Sequence, residues 1–261
     1  MKQSVAEDGT LEVTFHQSFL NDYFMCPARA MWNIERFPEG TPPSTASALG
    51  TAMHSGIEAH YHGADVGHAI KTAWEAEESV PGFVRDPKMD RVKALAMARA
   101  CFDAWVRDVE PHVGVPDNLE QRFKIMVDHR PDVRLYIAGT ADAVVDGIVW
   151  DWKTTGGMYG YQQWQVDRWF IQPTVYTLAQ AHIENWWEPR LFNYGIMEKR
   201  KRPVGHIIRT VRSEKNWQHL VQQMWSIFDN IRTAVAYPLN DQGWWCDAKW
   251  CAHWSSCKGS H

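Results

Sequence analysis

Two runs rich in β-branched and small apolar residues, 133–145 and 148–154, are separated by nothing but Asp146 and Gly147. An Asp-Gly pair in that setting specifies a two-residue hairpin, because both residues tolerate the positive φ that the tight turn demands. The register follows from the turn. Val145 faces Ile148, Val144 faces Val149, Ala143 faces Trp150, Asp142 faces Asp151 and Thr140 faces Lys153. Directly opposed side chains share a face, with Cβ atoms about 5 Å apart. Asp142, Asp151 and Lys153 are therefore expected on one side. Ala141, Ala143, Val145, Ile148, Trp150 and Trp152 form an apolar set on the other.

Two carboxylates held opposite each other repel, which costs stability unless a positive charge sits between them. A divalent cation removes that cost, and Lys153 adds a second positive charge. Hard oxygen donors suit magnesium or manganese better than zinc. The competing reading is a surface hairpin whose charges are merely solvated. Glu120, at the start of the preceding strand (120–127), either reaches the same ion or faces solvent.

The rest of the pattern supplies an α/β frame. Helices are expected over 14–36 (opened by Thr14 or Ser18), 46–62, 88–110, a zone at 161–185, and 213–236. Strands at 191–197 and 206–211 form a second hairpin. Helices, then consecutive strands, then helix and strand again predict a mixed central sheet flanked by helices, with a helical N-terminal region and a cysteine-rich C-terminal segment. No linker stands out, so residues 1–261 are expected to form one unit. The 45% hydrophobic and 22% charged composition is ordinary for a globular chain, and no apolar run is long enough to span a bilayer. The N-terminus lacks the layout of a signal peptide. These features predict a soluble, cytoplasmic protein with no membrane partner.

Net charge is −4, but the basic residues cluster. Lys199, Arg200, Lys201 and Arg202 run together and are candidates for contact with a DNA backbone, against a plainly solvated hairpin tip.

The segment Gly139-Thr-Ala-Asp142 … Asp151-Trp-Lys153-Thr resembles the G-x-x-D … D-x-K-T signature of RecB-type nucleases in the PD-(D/E)XK superfamily. Three further matches occur in the family's order. Gly50 to His54 is similar to its G-x-x-x-H helix, and Gln172 to Tyr176 to its Q-x-x-x-Y motif. The segment holding Ser18, Tyr23, Cys26 and Pro27 is similar to its opening S-x-L-x-x-Y-x-x-C-P. The small exonucleases related to the CRISPR-adaptation nuclease and to the nuclease domain of AddB are the subgroup it most resembles. The resemblance implies a restriction-endonuclease-like fold and a magnesium- or manganese-dependent exonuclease acting on single-stranded or duplex DNA ends. The setting would be recombination, repair or phage DNA processing, with a recombination or CRISPR-adaptation partner. It also implies roles. Asp142, Asp151 and the Trp152 carbonyl hold the metal, with His54 as a ligand or close neighbour. Lys153 orients or activates the attacking water, and Gln172 and Tyr176 place the lysine and the DNA. Pro173 departs from an unbroken helical motif and predicts a helix that starts there, with Gln172 just before it.

Of five cysteines, Cys246, Cys251 and Cys257 crowd the C-terminus and Cys26 lies near the N-terminus; Cys101 sits on a helical apolar stripe, where it reads as a core thiol. Several RecB-type nucleases hold an iron–sulfur cluster with one N-terminal and three C-terminal cysteines. The resemblance thus implies a [4Fe–4S] cluster on Cys26, Cys246, Cys251 and Cys257 that joins the chain ends. The first C-terminal gap departs from the family's C-x-x-C, since here it is C-x4-C. Zinc on the same thiolates, or no metal at all, are the other readings. Two alternatives to a nuclease remain: a catalytically silent DNA-binding or assembly subunit on the same fold, and a zinc protein centred on the cysteines.

Overall fold

The computed structural model describes residues 1–37, 41–234, 236–243 and 245–258. Among them a seven-stranded mixed sheet lies between two helical layers. The strands are β1 (Lys2–Val5), β2 (Leu11–His16), β3 (Asn118–Arg130), β4 (Val133–Val145), β5 (Ile148–Thr155), β6 (Arg190–Glu198) and β7 (Val204–Arg212). The helices are α1 (Gln17–Met25), α2 (Pro27–Arg36), α3 (Thr45–Tyr61), α4 (Val66–Ser79), α5 (Arg91–Asp108), α6 (Gln163–Arg168), α7 (Gln172–Glu184), α8 (Glu214–Thr233) and the single turn α9 (Trp254–Cys257). This is the mixed, helix-flanked sheet that the sequence predicts. No described helix is long and apolar enough to cross a membrane.

The long strand β4 organises the sheet. One edge pairs with β3 along almost its whole length. The other edge is divided: Val133 to Ala138 pair in parallel with β2, whereas Ala143 to Val145 pair antiparallel with β5. Between these two partners the sheet forks, and residues 139–142 lie in the fork. β5 then continues in parallel with β6.

Each face buries its own apolar cluster. On one face Leu135, Ile137, Phe192 and Tyr194 pack with residues of α1, α7 and α8, including Leu20, Val175 and Phe228. On the other, Ala143, Trp150 and Trp152 pack with Leu49 and Met53 of α3 and with Trp105 of α5. Burying a large apolar side chain is worth about 1.5–3 kcal/mol, so these clusters fix how the helices sit on the sheet. α3 begins at a reciprocal Ser44–Ser47 capping box, and Asp65 and Asp90 cap α4 and α5.

Several expectations need correcting. Residues 14–36 are not one helix: the chain is strand through His16, then two helices broken at Cys26-Pro27, where proline opens the second. The zone 161–185 is interrupted at 169–171. Asp142 and Asp151 are not ladder partners. The β4–β5 ladder has three pairs and ends at Ala143–Trp150, beyond which β5 pairs only with β6 on its other edge; Thr140 pairs with Arg122 and Lys153 with Ile196. Ala141 packs in the cluster of Val144 and Val149, away from Ala143. Simple alternation therefore fails around Asp142, where its neighbour on β3, Glu120, has a left-handed φ of 48°.

Candidate active site at the fork of the sheet

The turn itself is as the sequence requires, with φ of 49° at Asp146 and 73° at Gly147. From it β4 and β5 run to the fork, where Asp142 and Asp151 are both buried. Asp142 Oδ2 accepts the Trp152 backbone N–H at 2.6 Å, so the carboxylate occupies the place where a ladder bond would have formed. Asp151 Oδ1 accepts from Gln172 Nε2 at 2.5 Å. Asp151 Oδ2 is buried without a hydrogen bond and lies 2.5 Å from Lys153 Nζ.

α3 brings His54 over the same corner. Its Nε2–H donates to the Trp152 carbonyl at 2.7 Å, which leaves Nδ1 facing Asp142 Oδ2 at 3.6 Å. Ligand atoms of His54, Glu120 and Asp142 all lie within 4.8 Å of one another; among the described residues no other group of three histidine, cysteine or acidic side chains does so. The left-handed backbone at Glu120 is a conformation few non-glycine residues adopt, and it aims a carboxylate at this group.

The electrostatics are those of an excess of buried negative charge. Burial and the nearby Asp142 charge push Glu120 up to about 7. Burial also pushes Asp151 up to about 6, against the pull of Lys153. Burial acts on Asp142 in the same direction, but the charge and hydrogen bond of His54 outweigh it and hold that carboxyl below its ordinary value. His54 and Lys153 answer in kind. Burial opposes their charge, yet the carboxylates prevail and both are raised.

A divalent cation fits this donor set. The oxygens of Glu120 and Asp142 and one imidazole are of the right chemistry, while Asp151 lies beside that group, engaged by Gln172 and Lys153. Glu120 is raised by burial first and by the Asp142 charge second, and a cation would answer both.

α7 closes the fork. Gln172 is its first residue rather than the one before it, with Pro173 in the first turn. Gln172 Oε1 accepts from Tyr194 OH at 3.2 Å, so the amide is held from both ends. Tyr176 is buried beside it, and burial pushes its phenol up to about 12. Gly139 lets this ring approach: a Cβ there would meet Phe123 at 2.9 Å and the Tyr176 hydroxyl at 3.4 Å. The structure adds two residues that the motifs missed. Tyr194 reaches Gln172 from β6, and Tyr161 lies within electrostatic reach of Lys153 and Asp151. Both depend on contacts across strands and loops, which no local pattern announces.

The basic run forms the β6–β7 tip. The backbone N–H of Lys199 donates to the Thr155 carbonyl at 2.7 Å, which sets the tip beside the end of β5. Lys201 and Arg202 are exposed, whereas Arg200 is engaged by Glu198 at 2.7 Å. His60, on the same helix as His54, lies outside this group, where it meets Glu110 at 2.6 Å and packs edge-on to Trp105.

Away from the fork, Cys26, Cys246, Cys251 and Cys257 line one cavity. None is in a disulfide. Cys246 is raised above its ordinary value, by desolvation first and then by the neighbouring Asp241, Cys251 and Cys257. Cys101 is buried in the core of α5.

A family model described as the PD-(D/E)XK nuclease superfamily matches residues 14–258. Among solved structures the chain is similar to a candidate exonuclease from Eubacterium rectale, with 12% identity and a TM-score of 0.56, covering 88% of this chain and 86% of that one. It is also similar to SSO0001, with 14% identity and a TM-score of 0.45, covering 94% and 86%. No curated protein matches.

Proposed function

The chain belongs to the PD-(D/E)XK nuclease superfamily, and on that premise we propose that it is a magnesium- or manganese-dependent deoxyribonuclease of the RecB type, hydrolysing phosphodiester bonds at DNA ends. One observation carries the reading: ligand atoms of His54, Glu120 and Asp142 converge within 4.8 Å, beside the Asp151–Lys153 pair at 2.5 Å. Action at ends, and a place in recombination, repair or phage DNA processing, follow from the resemblance of the ordered motifs.

The residues divide the work. Asp142, Asp151, His54 and Glu120 would hold the cation, with the Trp152 carbonyl at their edge. A bound divalent ion supplies Lewis acidity toward a phosphoryl oxygen and its attacking water. Lys153 stays protonated beside Asp151, so it serves as a fixed positive charge for the water and the phosphate. Gln172 orients Asp151, and Tyr194 and Tyr176 keep Gln172 from turning. Lys201 and Arg202 stand at the exposed tip next to β5, where they can neutralise DNA phosphates, with Lys199 and Arg200 supporting the tip.

The same reading assigns Cys26, Cys246, Cys251 and Cys257 to a [4Fe–4S] cluster that joins the two ends of a single nuclease domain. Their convergence on one cavity supports it. Zinc on the same four thiolates is the competing occupant.

The test is end-labelled DNA incubated with magnesium or manganese. Asp151→Ala should lower cleavage by on the order of a thousandfold, the scale for loss of a main electrostatic partner of a transition state. A variant that cuts as fast as the parent would refute the assignment.

A further inference from the structure

A groove leads away from the fork beside the end of β5. Thr155 and Gly157, just past Lys153, form its near side. Its walls are aromatic: Phe24, Tyr159, Tyr161, Trp169, Phe170 and Trp245. Trp245 also lines the cysteine cavity, so the groove borders that site at one end, while Thr155 and Tyr161, which packs edge-on to Tyr194, bring its other end beside the catalytic corner.

Two properties set it apart from core packing. Tyr159 is 84% exposed and Trp169 is 65% exposed, so these rings hold up no core. Trp169 and the neighbouring Phe170 are nonetheless braced. Trp169 stands edge-on to Trp164 at 4.6 Å, and Phe170 stands edge-on to Tyr161 at 5.5 Å. A braced ring loses little further freedom when something stacks on it. Moreover, none of the described residues lining the groove is charged, in a chain with 58 charged side chains among Lys, Arg, Asp and Glu.

We propose that this groove is a stacking track for unpaired nucleobases, so that the enzyme grips a single strand and draws its end toward Lys153; the inference rests on the nuclease reading above. Neutral aromatic walls suit base faces, which carry no charge. The phosphates then lie outward, toward solvent and the basic β6–β7 tip. Base faces are available only when a strand is unpaired, and each aromatic stack is tolerant of sequence. Continuity with the catalytic corner distinguishes this occupant from a peptide, since Tyr161 belongs both to the groove and to the surroundings of Asp151 and Lys153.

The experiment is fluorescence anisotropy with three labelled probes of equal length, in EDTA to stop cleavage: oligothymidylate, an abasic strand and a blunt duplex. The parent should bind oligothymidylate more tightly than the other two. Trp169→Ala combined with Tyr159→Ala should weaken oligothymidylate binding roughly tenfold or more, on the scale of lost base stacks, while Trp169→Phe with Tyr159→Phe retains it. Circular dichroism melting confirms that these exposed substitutions leave the fold intact. Equal affinity of parent and alanine variant for oligothymidylate overturns the proposal, as does an abasic strand that binds as well as thymidylate. A labelled proline-rich peptide that depends on the rings while oligothymidylate does not would assign the groove to a protein partner and equally overturn it. Hydrolysis of thymidine 5′-p-nitrophenyl phosphate by the parent, with magnesium, separates the two readings. Ester cleavage with ring-independent strand binding sinks the groove alone. Ring-dependent strand binding without cleavage of ester or DNA sinks the nuclease alone.

Discussion

The catalytic corner and the cysteine corner are assembled in opposite ways. At the fork, every proposed ligand sits on a strand or helix that the sheet and its two apolar clusters already hold, and the carboxylates are tied to Trp152, Gln172, Lys153 and His54. At the cysteine cavity, three of the four thiols lie on a segment with little regular structure. It reaches α1 and α2 through scattered polar contacts. Asn240 donates to the Met25 carbonyl at 2.8 Å, Arg36 to the Ala252 carbonyl at 2.9 Å, and His253 meets Asn33 at 2.9 Å. The first site exists before its ion arrives, with repulsion built in. The second, on the cluster reading proposed above, would rely on a bound group to hold it closed. Preorganisation favours chemistry, whereas a ligand-held clasp favours closure.

The most drastic way to break the contrast is to remove a cluster ligand. Cys251→Ser should abolish absorbance near 400 nm in anaerobically purified protein and make trypsin cut at Lys249 roughly tenfold faster or more, since local opening is no longer opposed by a bound ligand. The sheet should stay protected. If Lys249 is no more accessible than in the parent, the segment holds itself and the contrast fails.

A middling effect concerns the catalytic corner and proton competition. Without metal, Glu120 is raised from 4.5 to about 7 and Asp151 from 3.8 to about 6. Between those limits the folded chain binds more protons than the unfolded one, so metal-free stability should fall as pH rises through this window. A cation needs the deprotonated carboxyls, so its stabilisation grows over the same window. The rise in Tm on adding magnesium should therefore be larger at about pH 8 than at about pH 5.5, and an equal rise at both would contradict the assigned donors.

The mildest change is Gln172→Ala, which frees Asp151 Oδ1 without touching the ion. Cleavage should fall about 10–100-fold, the range for residues that orient metal ligands. The melting temperature should fall by several degrees, because the buried Asp151 Oδ1 and Tyr194 hydroxyl lose their shared partner, at about 1–3 kcal/mol for each group left unpaired. A loss as deep as that of Asp151→Ala would mean that Gln172 does more than orient.

What could be read from the sequence was what depends on local chemistry. Asp146-Gly147 announces its turn because only a few residues accept positive φ, and the first three pairs of the register followed. The pairing beyond them did not, because β5 parts from β4 after Trp150 while keeping β6 on its other edge, and no local pattern records a fork. Ala141 packs on the face opposite Ala143, which simple alternation does not give. The N-terminal hairpin was overlooked although it carries a similar signal: Asp8-Gly9 lies between β1 and β2, with φ of 82° at Gly9. β1 is exposed throughout, so no apolar alternation marked it as a strand. Tyr194 and Tyr161 could be found only once packing had brought them to Gln172 and Lys153.

The break at Cys26-Pro27 also sets a schedule for biosynthesis. Cys26 is translated early, while the residues that complete its cavity come more than two hundred positions later. At ribosomal speeds of about 5–20 residues per second, that thiol waits on the order of ten to forty seconds for its companions. Throughout this interval it lacks the other thiols of its cavity, so a cluster of the kind proposed above would be completed only after Cys257 has been made.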